Sequence, residues 1–467
     1  MRPPRVVVVG AGIAGLAAAA AVRQKAPDVE VVVLEASPSI GGKLALAEVG
    51  GVQVDVGAES MLNRRPEAVA LAREVGLGDR LVHPAATTAN LWSRGRLRPL
   101  PRTLMGVPVD ARLLAESGVI SASGLARVAV EPMLPETRLD GRDVSIGWLV
   151  EERFGREVVD RLVEPLLGGV YAGHSRAISV RAAVPQVVAL LDRDKSMMRA
   201  AADATSQASD VPVFAGLVGG LGQLPGAVVA AAGLEVRTET TVRVLSRHPE
   251  GGWDLVVGPT RDAEVLHADA VVLATPARPT ARLLTDVAPG AAMELEGIEY
   301  ASMAVVTMAF RARDFPPTEG SGFLVPPVEG RAVKASTFSF AKWDWVRRAG
   351  DGDGLLVMRC SVGRHREEET LQRSDEEVVQ IVLEDLADAI GLSVRPVDSR
   401  VQRWGGALPQ YAVGHLERVR HIRSAVAGAP GLAVCGAAYD GLGIPACIAS
   451  AELAATQILA GLAGTGE

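Results

Sequence analysis

The sequence predicts an α/β protein that opens on a parallel sheet, and three features of its first residues carry that prediction. Val6-Val7-Val8-Val9 is a β-branched run, the pattern of a buried strand. It leads directly into Gly10-Ala11-Gly12-Ile13-Ala14-Gly15 and an alanine-rich helix through Ala21. A second strand, Val29 to Leu34, ends on Glu35, about 20 residues past the last glycine.

Each part has a mechanical reason. Gly10 allows the tight turn, Gly12 lets the backbone approach a pyrophosphate, and Gly15 lets helix and strand pack closely. The helix N-terminus offers free N–H groups and a positive dipole end to phosphates. Glu35 stands where an acid accepts hydrogen bonds from a ribose hydroxyl pair. Strand, glycines, helix, strand and terminal acid in this order describe a dinucleotide-binding unit. Arg2 and Arg5 before the uncharged stretch from Val6 to Val22 would also suit a signal peptide. That stretch falls short of the ~18 residues of a spanning helix, and its glycines sit at dinucleotide spacing.

Composition sets the bounds. The 467 residues suffice for two or three domains, and 48% hydrophobic with 22% charged residues is ordinary for a soluble globular chain. A net charge of −7 argues against nucleic acid and gives no general attraction to anionic lipid. Cys360, Cys435 and Cys447 are odd in number and lack CxxC spacing, so neither a disulfide framework nor a metal site is expected, and a cytoplasmic location fits. No later apolar run reads as long enough to span a bilayer, which leaves room only for peripheral membrane contact.

Along the chain, Ser145 to Phe154 (Ser145 as N-cap) and Glu157 to Leu167 read as helices, and Arg199 to Asp210 as a mobile polar loop. Gly219-Gly220-Leu221-Gly222 opens a helix, Val236 to Leu245 reads as one strand paired with Trp253 to Val257, and Asp269 to Pro276 as a buried parallel strand. Met303 to Phe310 and Leu355 to Cys360 point to an antiparallel sheet, with Asp375 to Ile390 an amphipathic helix. Leu432 to Gly436 is another buried strand, and Ile448 to Leu462 a closing helix. The expected organisation is a discontinuous dinucleotide domain (1–70, 212–285 and 425–467), a substrate-binding domain (71–99 and 286–424) and a helical domain (100–211).

Past Glu35 the chain reads Ala36, Ser37, Pro38, Ser39, Ile40, Gly41, Gly42, Lys43, and later Val54-Asp55-Val56-Gly57-Ala58-Glu59-Ser60. A glycine pair and a base after the second strand resemble the glutathione-reductase type of FAD fold, in its amine-oxidase-like members. On this resemblance the cofactor is FAD, held non-covalently. Gly436 to Ile448, Gly169-Val170-Tyr171-Ala172-Gly173 with Ser175, Gly219 to Pro225, Leu408-Pro409-Gln410-Tyr411 with Gly414-His415, Lys342-Trp343 and Arg359 to Arg364 then resemble, in order, the bacterial protoporphyrinogen/coproporphyrinogen oxidase family, its Gram-positive branch in particular. Ala58, Met61 and Ala446 depart from the family pattern.

The resemblance implies six-electron oxidation of coproporphyrinogen III to coproporphyrin III in three steps, with O2 reduced to H2O2, in heme biosynthesis. The flavin would supply the chemistry, in keeping with the lack of a nucleophile or paired-carboxylate constellation, so no catalytic side chain is named. Expected cofactor contacts are Gly10, Ala11, Gly12, Ile13, Ala14, Gly15, Glu35, Ala36, Gly42, Lys43, Gly57, Ala58, Glu59, Ser60 and Val242, and by resemblance Trp404, Gly436, Gly443, Ile444 and Pro445. Propionates call for basic groups, for which Arg64 and Arg65 are the candidates; Gly169 and Tyr171 are expected over the macrocycle, and His415 as a structural histidine. A downstream heme-pathway enzyme is the expected transient partner. Protoporphyrinogen IX oxidation, a flavin amine oxidase and a non-catalytic porphyrin carrier are the alternatives.

Overall fold

The computed structural model describes residues 2–206 and 211–464. Its organising layer is a five-stranded parallel sheet in the order Glu235–Arg237, Glu30–Leu34, Arg5–Val9, Ala270–Leu273 and Leu432–Val434. The valine runs are explained by burial on both faces. Val6, Val8, Val31 and Val33 pack under the Ile13–Lys25 helix and the closing helix Ile444–Gly464. Val7, Val9, Val32 and Leu34 pack beneath a three-stranded antiparallel sheet (Val242–Arg247, Trp253–Val257, Glu264–Ala268) and three helices, Ala277–Leu284, Pro289–Glu296 and His415–Ala427. Pro289–Glu296 and most of His415–Ala427 lie within the 286–424 stretch expected in the substrate-binding part, and their apolar faces complete this core.

A seven-stranded sheet forms the second layer, in the order Asp398–Pro409, Tyr300–Arg311, Leu355–Val362, Val333–Thr337, Gly322–Leu324, Asn90–Ser93 and Arg96–Pro99. The Asp375–Ile390 helix, started by a Ser374/Glu377 capping box, covers one face with Val378, Val382 and Leu386. On the other face Ala309 and Val357 pack with Val49, Val52 and Val54 of the 46–55 hairpin and with Trp343 and Val346. A helical body around Ile146–Phe154 and Glu164–Tyr171 packs alongside. Its buried Glu131 and Arg153 pair with each other, and Glu131 also accepts from the Met197 N–H at 2.8 Å.

Four expectations need correction. The stretch from Arg199 is helix Met197–Ser206, because alanines dominate it and Ala200 and Ala201 bury one face; residues 207–210 lie outside the described residues. Residues 236–245 form two strands in different sheets, separated by a turn in which Glu239 has φ 52°. Glu157 to Leu167 is interrupted by a π-helical turn at Val159–Val163. Finally, Ile444–Ala463 is long and apolar enough to cross a membrane by length and composition; here Ile448, Ala451, Ala454, Ala455 and Ile458 are buried in the protein core.

Candidate functional site

The site grows from the turn between the first strand and first helix. Gly10 adopts φ 106°, closed to most side chains, and donates its N–H to Leu34 O at 2.7 Å. A Cβ on Gly15 would lie 1.8 Å from Gly10 O, so this position admits only glycine. Gly12 is different: it is the helix N-cap, and a Cβ there would meet nothing within 4 Å. The backbone therefore presents a helix N-terminus to open space, with the first turn, Ile13 and Ala14, behind it and no acid in that turn to occupy the dipole.

Three other segments close around this turn. Gly41 donates to Ala11 O at 2.8 Å, and Gly42 lies against Gly12. Lys43 O accepts from the Ala58 N–H at 3.1 Å and approaches Gly57 so closely that a Cβ there would sit 2.0 Å away. The Lys43 side chain is accessible to solvent yet hemmed in by protein, and the lost hydration lowers its pKa. Gly436 packs on Ala14, while Gly443 leads into the closing helix at Ile444 and Pro445, a second helix start at the same cleft.

At the far end of the cleft, Glu35 accepts from the Ala11 N–H at 2.7 Å and the Ser37 N–H at 2.8 Å. A carboxylate has about four acceptor sites, so capacity for a hydroxyl pair remains. Glu35 N bonds Arg237 O and Thr240 N bonds Glu35 O, at 2.9 and 2.8 Å, which brings Val242 to this end; Ala36 stands exposed beside it. A glycine-lined backbone flanked by two helix starts and ending in an acid fits a dinucleotide.

The 55–60 loop joins this cleft to the seven-stranded sheet. Arg359 Nη1 donates to Asp55 O and Gly57 O at 3.1 and 2.8 Å, and Trp404 Nε1 to Val56 O at 3.0 Å. Glu59, expected as a cofactor contact, has its carboxylate committed elsewhere, to Lys342 at 2.6 Å and Arg359 at 3.3 Å. Burial alone would raise its pKa, but Arg359 and Lys342 hold it down at about 2. Ala58 and Ser60, on either side of Glu59, are half-buried. Asp55 accepts from the Leu221 and Gly222 N–H groups, both at 2.9 Å, and burial still pushes its pKa up to about 6.

The substrate candidates fare unevenly. Arg64 is exposed, its Nε 3.4 Å from Val211 O, while Arg65 is paired with Glu67 and has less charge to offer an anion. Gly169 and Val170 are exposed at the end of their helix. Tyr171 is 5% exposed and its ring packs on Tyr411 at 5.6 Å, with both residues in the helical core. Its hydroxyl pKa is raised to about 12 by that burial. Tyr411 in turn stacks on His415 and donates to Ala437 O at 2.7 Å. His415 is buried, its pKa lowered to about 4 by loss of hydration, and its Nε2 lies 3.2 Å from Tyr439 O.

Residue-by-residue reasoning missed Asp55, Lys342 and Arg359 as members of the joint, although all lie in quoted motifs. It also missed Lys334. This residue is the extra one in a β-bulge between Val333 and Ala335, which turns its amine inward to Gly363 O at 3.0 Å and Met303 Sδ at 3.7 Å. Met303 is the cross-strand partner of Trp404. Burial, then the nearby Arg364 charge, lowers the Lys334 pKa to about 7.

Comparison with known proteins fits this geometry. Residues 13–459 match the family described as flavin containing amine oxidoreductase. The chain is 38% identical to coproporphyrinogen III oxidase of Mycobacterium tuberculosis (strain ATCC 25618 / H37Rv), over 99% of each chain. It is 31% identical to coproporphyrinogen III oxidase of Bacillus subtilis (strain 168), over 97% of each. A solved protein of Exiguobacterium sp. 255-15, bearing a provisional protoporphyrinogen oxidase name, superposes with a TM-score of 0.88 at 32% identity, covering 98% of this chain and 99% of that one.

Proposed function

The chain belongs to the flavin-containing amine oxidoreductase family, and from that premise we propose that it is an FAD-dependent oxidase of coproporphyrinogen III, acting in heme biosynthesis in the cytoplasm. The observation that carries the reading is the meeting, at one glycine-lined cleft, of residues 10–15, 35–43, 57–60 and 436–445, in a chain that aligns over its full length with coproporphyrinogen III oxidases.

FAD would be held without a covalent bond. The Gly10–Gly15 turn, Gly42 and Lys43 would take the diphosphate; Glu35 and Ala36 would take a ribose, and Val242 the adenine. The backbone of 57–60, Trp404 and Gly436 with Gly443–Pro445 would hold the isoalloxazine end. When bound, the flavin would supply the hydride-accepting chemistry for a six-electron oxidation in three stages, with O2 as the terminal acceptor and H2O2 as its product.

What the chain itself contributes is orientation and a dry wall. Arg359 and Trp404 fix the 55–60 loop through its carbonyls, so that loop cannot swing as substrate enters. Arg64 supplies the exposed cation for a substrate carboxylate, and Gly169 leaves space where a side chain would intrude. An aromatising substrate releases its pyrrole protons readily, and no side chain is assigned to take them. In this reading the dinucleotide part is 1–70, 212–285 and 425–467, the substrate part 71–99 and 286–424, and the helical part 100–211.

Aerobic turnover of the FAD-loaded protein on coproporphyrinogen III and protoporphyrinogen IX in parallel, followed by porphyrin fluorescence and peroxide, tests the proposal. A larger kcat/KM on coproporphyrinogen, reduced by Arg64→Ala, is expected. Preference for protoporphyrinogen would overturn the substrate assignment, and turnover of neither would overturn the oxidase reading.

A further inference from the structure

We propose that His248, Asp254 and His267 form a binding site for a divalent transition cation of the zinc class, on the outer face of the three-stranded sheet and apart from the flavin cleft. The alternation of the strands places them together. Trp253, Leu255 and Val257 point inward and are fully buried, so Asp254 points outward. His267 is the direct cross-strand partner of Asp254 and shares its face. Arg247 lies opposite Trp253 and stacks its guanidinium over that indole, 3.9 Å from the ring centroid. The next residue, His248, therefore turns to the outer face, where its main chain closes the hairpin on Gly252 O at 3.2 Å.

The donor set has the size of a chelate. His267 Nδ1 lies 3.3 Å from Asp254 Oδ1. Two ligands of a tetrahedral zinc, each bound at ~2.0–2.1 Å, are separated by roughly that distance. One donor atom from each of the three residues lies within 4.8 Å of the others, and the two imidazoles stand 4.6 Å apart at 69°. Coordination through His248 Nδ1 displaces only the long bond from the Glu250 N–H, at 3.2 Å.

Charge favours the same occupant. Among the described residues the only ion pair of Asp254 is with His267, and no Lys or Arg neutralises it. Two imidazole nitrogens and one carboxylate oxygen suit zinc, nickel or copper and poorly suit magnesium or calcium. All three side chains are half-buried, leaving a fourth position open to water. A bound ion would pin the hairpin end of the Val242–Arg247 strand to the Glu264–Ala268 strand.

The test is isothermal titration of the flavin-loaded, EDTA-treated protein with Zn2+, with Mg2+ as the contrasting ion. We expect about one zinc per chain and no magnesium uptake. His267→Gln and Asp254→Asn should weaken zinc roughly tenfold or more. His248→Gln, at the hairpin end where folding is least at risk, should do the same while flavin absorbance and turnover stay unchanged. No stoichiometric zinc uptake, or uptake equally tight in His248→Gln and His267→Gln, would overturn the proposal.

Discussion

The cleft has two corners built by opposite means. At the Gly10–Glu35 corner the working groups are backbone amides, a helix end and one acid, all supplied within the first 42 residues. At the 55–59 corner they are charged side chains, Asp55, Glu59, Lys342 and Arg359, gathered from positions about 300 residues apart in the chain. The first corner forms wherever its local sequence folds. The second exists only when two sheets are docked, so it acts as the joint between them. On the proposed function, cradling the cofactor and holding two layers in register fall to different residues, and mutations should separate them.

The sharpest separation is expected from Arg359→Met. It removes both carbonyl contacts to the 55–57 backbone and leaves buried Glu59 with one cation in place of two. Breaking a buried pair costs about 3–5 kcal/mol, readable as a lower denaturant midpoint. A loss under about 1 kcal/mol would place the joint in the surface-pair range. Gly15→Ala should act on the other corner. Its Cβ would strike Gly10 O, which must shift at a cost of about 1–3 kcal/mol, and the purified protein should lose its flavin absorbance before its fold. Retention of full flavin would show that the turn tolerates what its geometry forbids.

Glu35→Gln is milder. Its single amide oxygen can accept only one of the two N–H groups that the two carboxylate oxygens accept, so flavin should be held roughly tenfold more weakly and the apoprotein should melt modestly lower. The smallest effect is a matter of pH. The folded-state pKa of Asp55 is raised from 3.8 to about 6, so the folded chain binds its proton more tightly and that contribution fades as pH rises from about 4 through 6. Glu59 works in the opposite sense: its pKa is lowered from 4.5 to about 2, and its contribution, complete above pH 4.5, is lost as pH falls towards 2. Asp55→Asn should therefore flatten the stability slope between pH 4 and 6; parallel slopes for the two proteins would mean that Asp55 titrates like an exposed acid.

The contrast also explains what could be read from the chain beforehand. Gly10, Gly12, Gly15 and Glu35 declare themselves because their roles depend on spacing within one βαβ unit, and the valine runs declare their burial. Glu59 was legible as part of a motif but not in its role, because its partners, Lys342 and Arg359, come from strands and helices whose docking no local pattern encodes. The packing of Tyr171 was hidden for a related reason: the residues around it are recognisable, but the ring it meets belongs to Tyr411, about 240 residues later. The helix at 197–206 was hidden by serines and aspartates that suggest a loop, although its alanines and two buried positions win. Lys334 is invisible in sequence because a bulge, not alternation, sets its direction.

The strand order of the parallel sheet has a consequence for how the protein is made. The strand earliest in this sequence, Arg5–Val9, lies in the middle, and its neighbour Ala270–Leu273 is itself bordered by Leu432–Val434. At a ribosomal rate of about 5–20 residues per second, a chain of 467 residues takes roughly half a minute to a minute and a half to complete. During nearly all of that time the valines of the first strand lack part of their cover, and the segment from Gly436 to Pro445 that closes the cleft has not emerged. Cofactor loading therefore waits for that segment, and a chain stopped 30 residues short of Glu467 would lack the Ile444–Gly464 helix and leave part of one face of the parallel sheet uncovered for the cell's chaperones and proteases to find.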